Sequence, residues 1–169
     1  LAKLRGKKRN YVKILSERNI FEHPQTLNNC YKYDPGTVLE EDDWFRIENF
    51  SSEEYCIKLL KHKFVSSEYA QITKSEFSQI DYLVSYQDGN YYFQKLAKNH
   101  ILKKRYFTIS PEPTFCVNNG IIIINDLPDT CYISREDALY FKNLRSITGI
   151  FPGIEVLYKE ATEAETIDF

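Results

Sequence analysis

Two stretches of alternating apolar and polar residues carry the clearest structural signal in this chain. In 80–96, Tyr82, Val84 and Tyr86 alternate up to Asp88-Gly89, and Tyr91 and Phe93 resume beyond it. Asp-Gly suits a two-residue type I′ turn, because both central positions need positive φ. Pairing Tyr86 with Tyr91 and Val84 with Phe93 then gathers Tyr82, Val84, Tyr86, Tyr91 and Phe93 on one face. A second hairpin is predicted over 114–124 around Asn119-Gly120, with Val117 opposite Ile122 and Phe115 opposite Ile124. Ile121 and Ile123 occupy its other face, which predicts a strand covered on both sides, with a helix lying against it.

Shorter elements surround these hairpins. Trp44, Phe45, Arg46 and Ile47 read as a strand, and Ser51 with Glu54 forms a capping box for a helix through Tyr55, Ile57, Leu59 and Leu60 that ends near His62. Residues 131–133 and 139–141 read as short strands around polar 134–137, or else Ser134 caps a helix that starts at Arg135. From Leu144 the spacing is helical, breaks at Thr148-Gly149, and resumes after Pro152 with Ile154, Leu157, Tyr158 and Ala161. The pattern predicts an α+β fold: an antiparallel, hairpin-rich sheet with flanking helices and a helical C-terminal segment. His23-Pro24, Asn28-Asn29 and Asp34-Pro35-Gly36 are turn chemistry and predict a basic arm and linker over 1–36, with the α+β domain over 37–169. Leu1 at the start, the absence of methionine, and a capping box at Thr162 and Glu165 near the far end predict a fragment of a longer protein.

Composition narrows the class. At 169 residues the chain can bury a core, and 13 tyrosines with 11 phenylalanines favour sheet. With 22 Lys and Arg against 24 Asp and Glu, any electrostatic preference must be local. Cys30, Cys56, Cys116 and Cys131 have no metal-ligand spacing and are expected to be reduced thiols, which with the lack of a secretory signal implies a cytoplasmic location. The longest aliphatic run, 121–124, is far too short to span a bilayer, so no membrane association is expected.

Candidate chemistry is sparse. Residues 90–109 hold Lys95, Lys98, His100, Lys103, Lys104 and Arg105 without a carboxylate, interleaved with Tyr91, Tyr92, Phe93, Tyr106 and Phe107. Cations neutralise phosphates and rings stack on bases, so Lys95, Lys98, Lys103, Lys104, Arg105 and Tyr106 form a candidate nucleic-acid contact. The alternative is a solvated edge whose lysines discourage sheet pairing. Residues 1–13 contain Lys3, Arg5, Lys7, Lys8, Arg9 and Lys13, again without an acid. The acidic run 40–43 lacks calcium-loop spacing and reads as a solvated turn. A metal-dependent nuclease would need an acid followed by an acid-x-Lys pattern. Asp81 is followed by Phe93-Gln94-Lys95, and Asp129 by Tyr140-Phe141-Lys142, without the second carboxylate. His23, His62 and His100 are isolated, and no catalytic residue, metal ligand or cofactor motif is predicted.

The part from Tyr82 onward resembles an uncharacterised bacterial family that is in turn loosely similar to the DNA-binding subunit of the Kiwa anti-phage system. Leu139 to Asn143, Ile150 with Phe151, and Leu157 to Thr162 followed by Glu165 carry the resemblance. It implies a β-rich domain followed by helices, in a bacterial protein with a role in antiviral defence. It brings no catalytic residues. Two readings follow: a nucleic-acid-associated binding module, or a protein-interaction or structural domain whose aromatic hairpin face buries against a partner subunit or the missing half of its own chain, with self-association among the expected contacts. Catalysis, if any, would reside mostly outside this segment.

Overall fold

The computed structural model describes residues 1–6, 10–14, 20–24, 27, 30–33, 44–97, 101–103, 114–117 and 120–157, with backbone alone for 101–103, 114–117 and 120–121. Its centre is an eight-stranded mixed sheet. In chain order the strands are β1 (Ala2–Leu4), β2 (Tyr11–Val12), β3 (Tyr31–Lys32), β4 (Phe45–Glu48), β5 (Ile80–Gln87), β6 (Asn90–Lys95), β7 (Ile101–Lys103), β8 (Thr114–Val117), β9 (Gly120–Ile123), β10 (Thr130–Ile133) and β11 (Ala138–Phe141). The large sheet runs β2-β1-β5-β6-β10-β11-β4-β3, and β7-β9-β8 form a second, smaller sheet. Among the described strands the pairs are antiparallel except β3 with β4, so the expected antiparallel sheet is mixed at one edge.

The β5-β6 hairpin has the predicted register, with Tyr86 opposite Tyr91 and Val84 opposite Phe93. Asp88 and Gly89 have φ of 50° and 83°, as a type I′ turn requires. The second hairpin differs from expectation. Val117 pairs with Gly120 and Phe115 with Ile122, so Gly120 belongs to the strand rather than to the turn. The slip is by two residues, which preserves the side-chain faces: Ile122 and Ile124 are still the buried pair.

Both faces of the large sheet are covered, giving three layers. On one face Phe45, Tyr82, Val84, Tyr91, Phe93, Tyr132, Leu139 and Phe141 pack against Leu59 and Leu60 of α1 (Lys58–Lys61), Leu144 and Ile147 of α2 (Leu144–Thr148), and Ile150, Phe151 and Ile154 beyond it. Phe151 lies edge-on between Phe50 and Phe93, with ring centroids 5.1 Å and 5.4 Å away. On the opposite face Leu83, Tyr92, Cys131, Ile133 and Tyr140 pack against Ile122 and Ile124. Sheet therefore covers the Ile122 and Ile124 face of β9. Gln94, fully buried in β6, fixes this docking: its amide nitrogen donates to Ile123 O at 3.2 Å and its amide oxygen accepts from Asn125 N at 3.0 Å. Coverage on both sides explains why all four residues of β10 and of β11 are buried.

Several local expectations change. Residues 131–133 and 139–141 are strands, which removes the alternative helix from Arg135. Ser51 does not cap a helix. Its backbone N–H and hydroxyl donate to the Asp137 carboxylate at 2.9 Å and 2.7 Å, and the chain makes a 3-10 turn at Phe50–Ser52 before α1. Part of the predicted arm is built into the sheet: β1 pairs with β5, and Ala2 and Leu4 are fully buried. Helical residues resume at 155–157; Tyr158, Ala161 and the box at Thr162 lie outside the described residues. Cys30, Cys56 and Cys131 are free thiols.

Candidate functional site

The β5-β6 register sets Lys95 opposite Tyr82, next to Asp81, at the end of the sheet where β5 begins and β6 leaves. The Lys95 ammonium donates to Asp81 Oδ1, and its backbone N–H donates to Asp129 Oδ2 at 2.8 Å. Asp81 also faces the Arg5 guanidinium, 3.7 Å away. Arg5 follows β1 and is anchored by its backbone N–H, which donates to Gln79 O at 2.6 Å. Lys3, in β1, holds its ammonium 5.8 Å from the centre of the Tyr11 ring. Burial lowers its pKa, against the opposing pull of Asp81.

Lys95 is thus an ion-paired residue at the root of its segment, partly shielded from solvent, rather than a free cation. Lys103, in β7, is placed by its backbone alone, opposite Gly120 of β9. Lys98, His100, Lys104, Arg105, Tyr106 and Phe107 lie outside the described residues.

The rings at the start of the basic stretch are not available to a ligand, while Tyr106, the ring of the expected contact, lies outside the described residues. Tyr91, Tyr92 and Phe93 are at most 3 % exposed, so these rings belong to the core and offer no face to a base. Adjacent residues in a strand point to opposite faces, and here both faces are covered. Burial also pushes the Tyr91 phenol up to about 12. Beside the cationic site, Tyr11 and Tyr82 share a hydroxyl hydrogen bond of 2.6 Å, and burial pushes Tyr11 up to about 12. Tyrosinate chemistry near neutral pH is therefore disfavoured at these positions.

Sequence reasoning singled out both basic segments but not their meeting point. Asp81 lies in neither segment, and its one signal was that Tyr82, the residue after it, pairs with Lys95; alternation by itself puts Asp81 on the opposite face of the strand. Asp129 carried no such signal, because its position depends on how β10 pairs with β6. Both carboxylates bind Lys95, one through the side chain and one through the backbone. Among the described residues, no three histidine, cysteine or acidic side chains gather as a metal site, and no helix is long and apolar enough to cross a membrane. No family model matches the chain, and neither a curated protein nor a solved structure matches it.

Proposed function

We propose that this chain is a nucleic-acid-associated binding module of a cytoplasmic bacterial protein, with anti-phage defence as the setting its family resemblance suggests. One observation carries the binding reading: Arg5 and Lys95 meet on Asp81. Residues 1–13 and 90–109 are the two most basic carboxylate-free stretches of the sequence, and Arg5 of the first and Lys95 of the second lie at the same end of the sheet. The β1-β2 connection holds Arg5, Lys7, Lys8 and Arg9. The stretch after β6 holds Lys98, Lys103, Lys104, Arg105 and Tyr106, with Lys95 at its root. Two such segments starting from one place favour a shared phosphate track over scattered surface lysines. At the other end of the same strands the turns instead hold Asp88, Glu136 and Asp137 with Arg135.

The protein-interaction reading has less to draw on. It needed an open aromatic hairpin face, but Tyr82, Val84, Tyr91 and Phe93 are buried within the chain, leaving Tyr86 at 40 % exposure.

The test is binding of the chain to duplex DNA and RNA at two salt concentrations, beside the variant Lys103→Glu, Lys104→Glu, Arg105→Glu. Wild type should bind at low salt and weaken steeply as salt rises, without sequence preference. The triple variant should bind the duplex much more weakly while its thermal midpoint stays nearly unchanged, since surface charges alter stability by only about 0.5 kcal/mol each. No binding by wild type at low salt, or equal binding by the variant, refutes the proposal.

A further inference from the structure

A second surface combines aromatic rings with cations, away from the basic end. Phe64 stacks on Tyr86 with ring centroids 4.7 Å apart and planes 21° apart, and on Tyr69 at 5.7 Å and 18°. Tyr86 closes against Tyr91 edge-on at 5.0 Å, which ties the stack to the core. Tyr86 is 40 % exposed, and Phe64 and Tyr69 are half-buried. Three rings in near-parallel array therefore reach the surface at the far end of β5.

The chain leading into Phe64 is cationic. Short helix α1 buries Leu59 and Leu60 and leaves Lys58 and Lys61 exposed, and His62 and Lys63 continue the exposed run. No carboxylate occurs from Cys56 to Ser67, and Glu68 is the one acid between Phe64 and Tyr69. Among the described residues, Lys58, Lys61 and Lys63 form no ion pair. Lys95 is held by Asp81, whereas no described carboxylate pairs with these three.

We propose that the Tyr69-Phe64-Tyr86 stack and the 58–63 cations form a binding face for single-stranded nucleic acid. A single strand offers what this surface complements: bases able to extend a ring stack and phosphates that match the lysines. A duplex keeps its bases stacked internally, so it would use only the lysines. The site is separate from the phosphate contact proposed at the basic end and does not depend on it.

The experiment uses the chain with a fluorescent oligothymidine of about 12 nucleotides, a length within one single-strand site, and an abasic strand of the same length. The expected result is tighter binding of oligothymidine than of the abasic strand. Tyr86→Ala should lower oligothymidine affinity about tenfold and leave abasic binding unchanged, while Tyr86→Phe retains wild-type affinity. Lys61→Gln with Lys63→Gln should weaken both strands. Melting curves of each variant establish that it folds, and Tyr86→Phe keeps the ring where Tyr86→Ala lowers stability. Equal binding of the two strands by wild type, or no loss in Tyr86→Ala, overturns the proposal. Self-association that Tyr86→Ala abolishes, with no oligonucleotide bound, overturns it in favour of a protein contact. Because the triple variant at 103–105 leaves this face intact, failure of the phosphate contact and failure of the stack are read separately.

Discussion

Asp137 ties two parts of the chain together from a turn. Its carboxylate accepts from the Ser51 N–H, the Ser51 hydroxyl and, at 2.9 Å, the Tyr132 hydroxyl, with a φ of 48°. Burial acts to raise its pKa, but these hydrogen bonds outweigh it and hold the carboxyl below its ordinary value. A depressed carboxylate contributes stability above its unfolded pKa and loses it as pH falls through the folded one. Asp137→Asn should therefore be less stable than wild type at pH 7, with a gap that is full above about pH 5 and closes below about pH 4. Urea denaturation at several pH values measures it, and a gap independent of pH would contradict the assignment. Asp137→Ala should cost about 2 kcal/mol, since it leaves Ser51 and Tyr132 donors unpaired and puts alanine at positive φ.

At the scale of elements, Gly89 is the position where backbone conformation decides. Its φ is 83°, and an added Cβ would meet nothing within 4 Å, so any cost of a side chain comes from the backbone alone. Gly89→Val should destabilise by about 1 kcal/mol or more, and Gly89→Asn by clearly less. Equal denaturation midpoints for the two variants would count against the turn. This hairpin was legible because alternation fixes the faces and Asp-Gly fixes the register. At 114–124 alternation fixed the faces equally well, but Asn118-Asn119-Gly120 offers two adjacent turn pairs, and parity cannot choose between registers two residues apart. Capping patterns were ambiguous for a similar reason. Ser51 and Glu54 satisfy the box in sequence, yet Ser51 is spent on Asp137. Thr73 and Glu76 do form a box, with Glu76 accepting from Thr73 N at 3.0 Å ahead of the 3-10 helix Lys74–Gln79.

Across the whole molecule, what the sequence concealed is long-range. The apolar residues of β10 and β11 suggested strands, beside a helix from Arg135, but not their neighbours, and the basic residues near Leu4 gave no sign that β1 joins the sheet beside β5. Sheet order is set by which buried faces fit together, and local periodicity does not encode it. The two basic segments were visible as carboxylate-free runs, whereas their convergence on Asp81 depends on that order. If both segments lie along one nucleic-acid backbone, each must neutralise phosphates, and the salt dependence of binding reads that number. Affinity for a duplex should be measured across a salt series for wild type, Arg5→Glu, the triple variant at 103–105, and their combination. The slope of log affinity against log salt should fall for each, by about 0.9 for every phosphate no longer neutralised, and fall furthest in the combination. A wild-type affinity insensitive to salt, or a slope that only one of the two segments alters, would rule out the shared track.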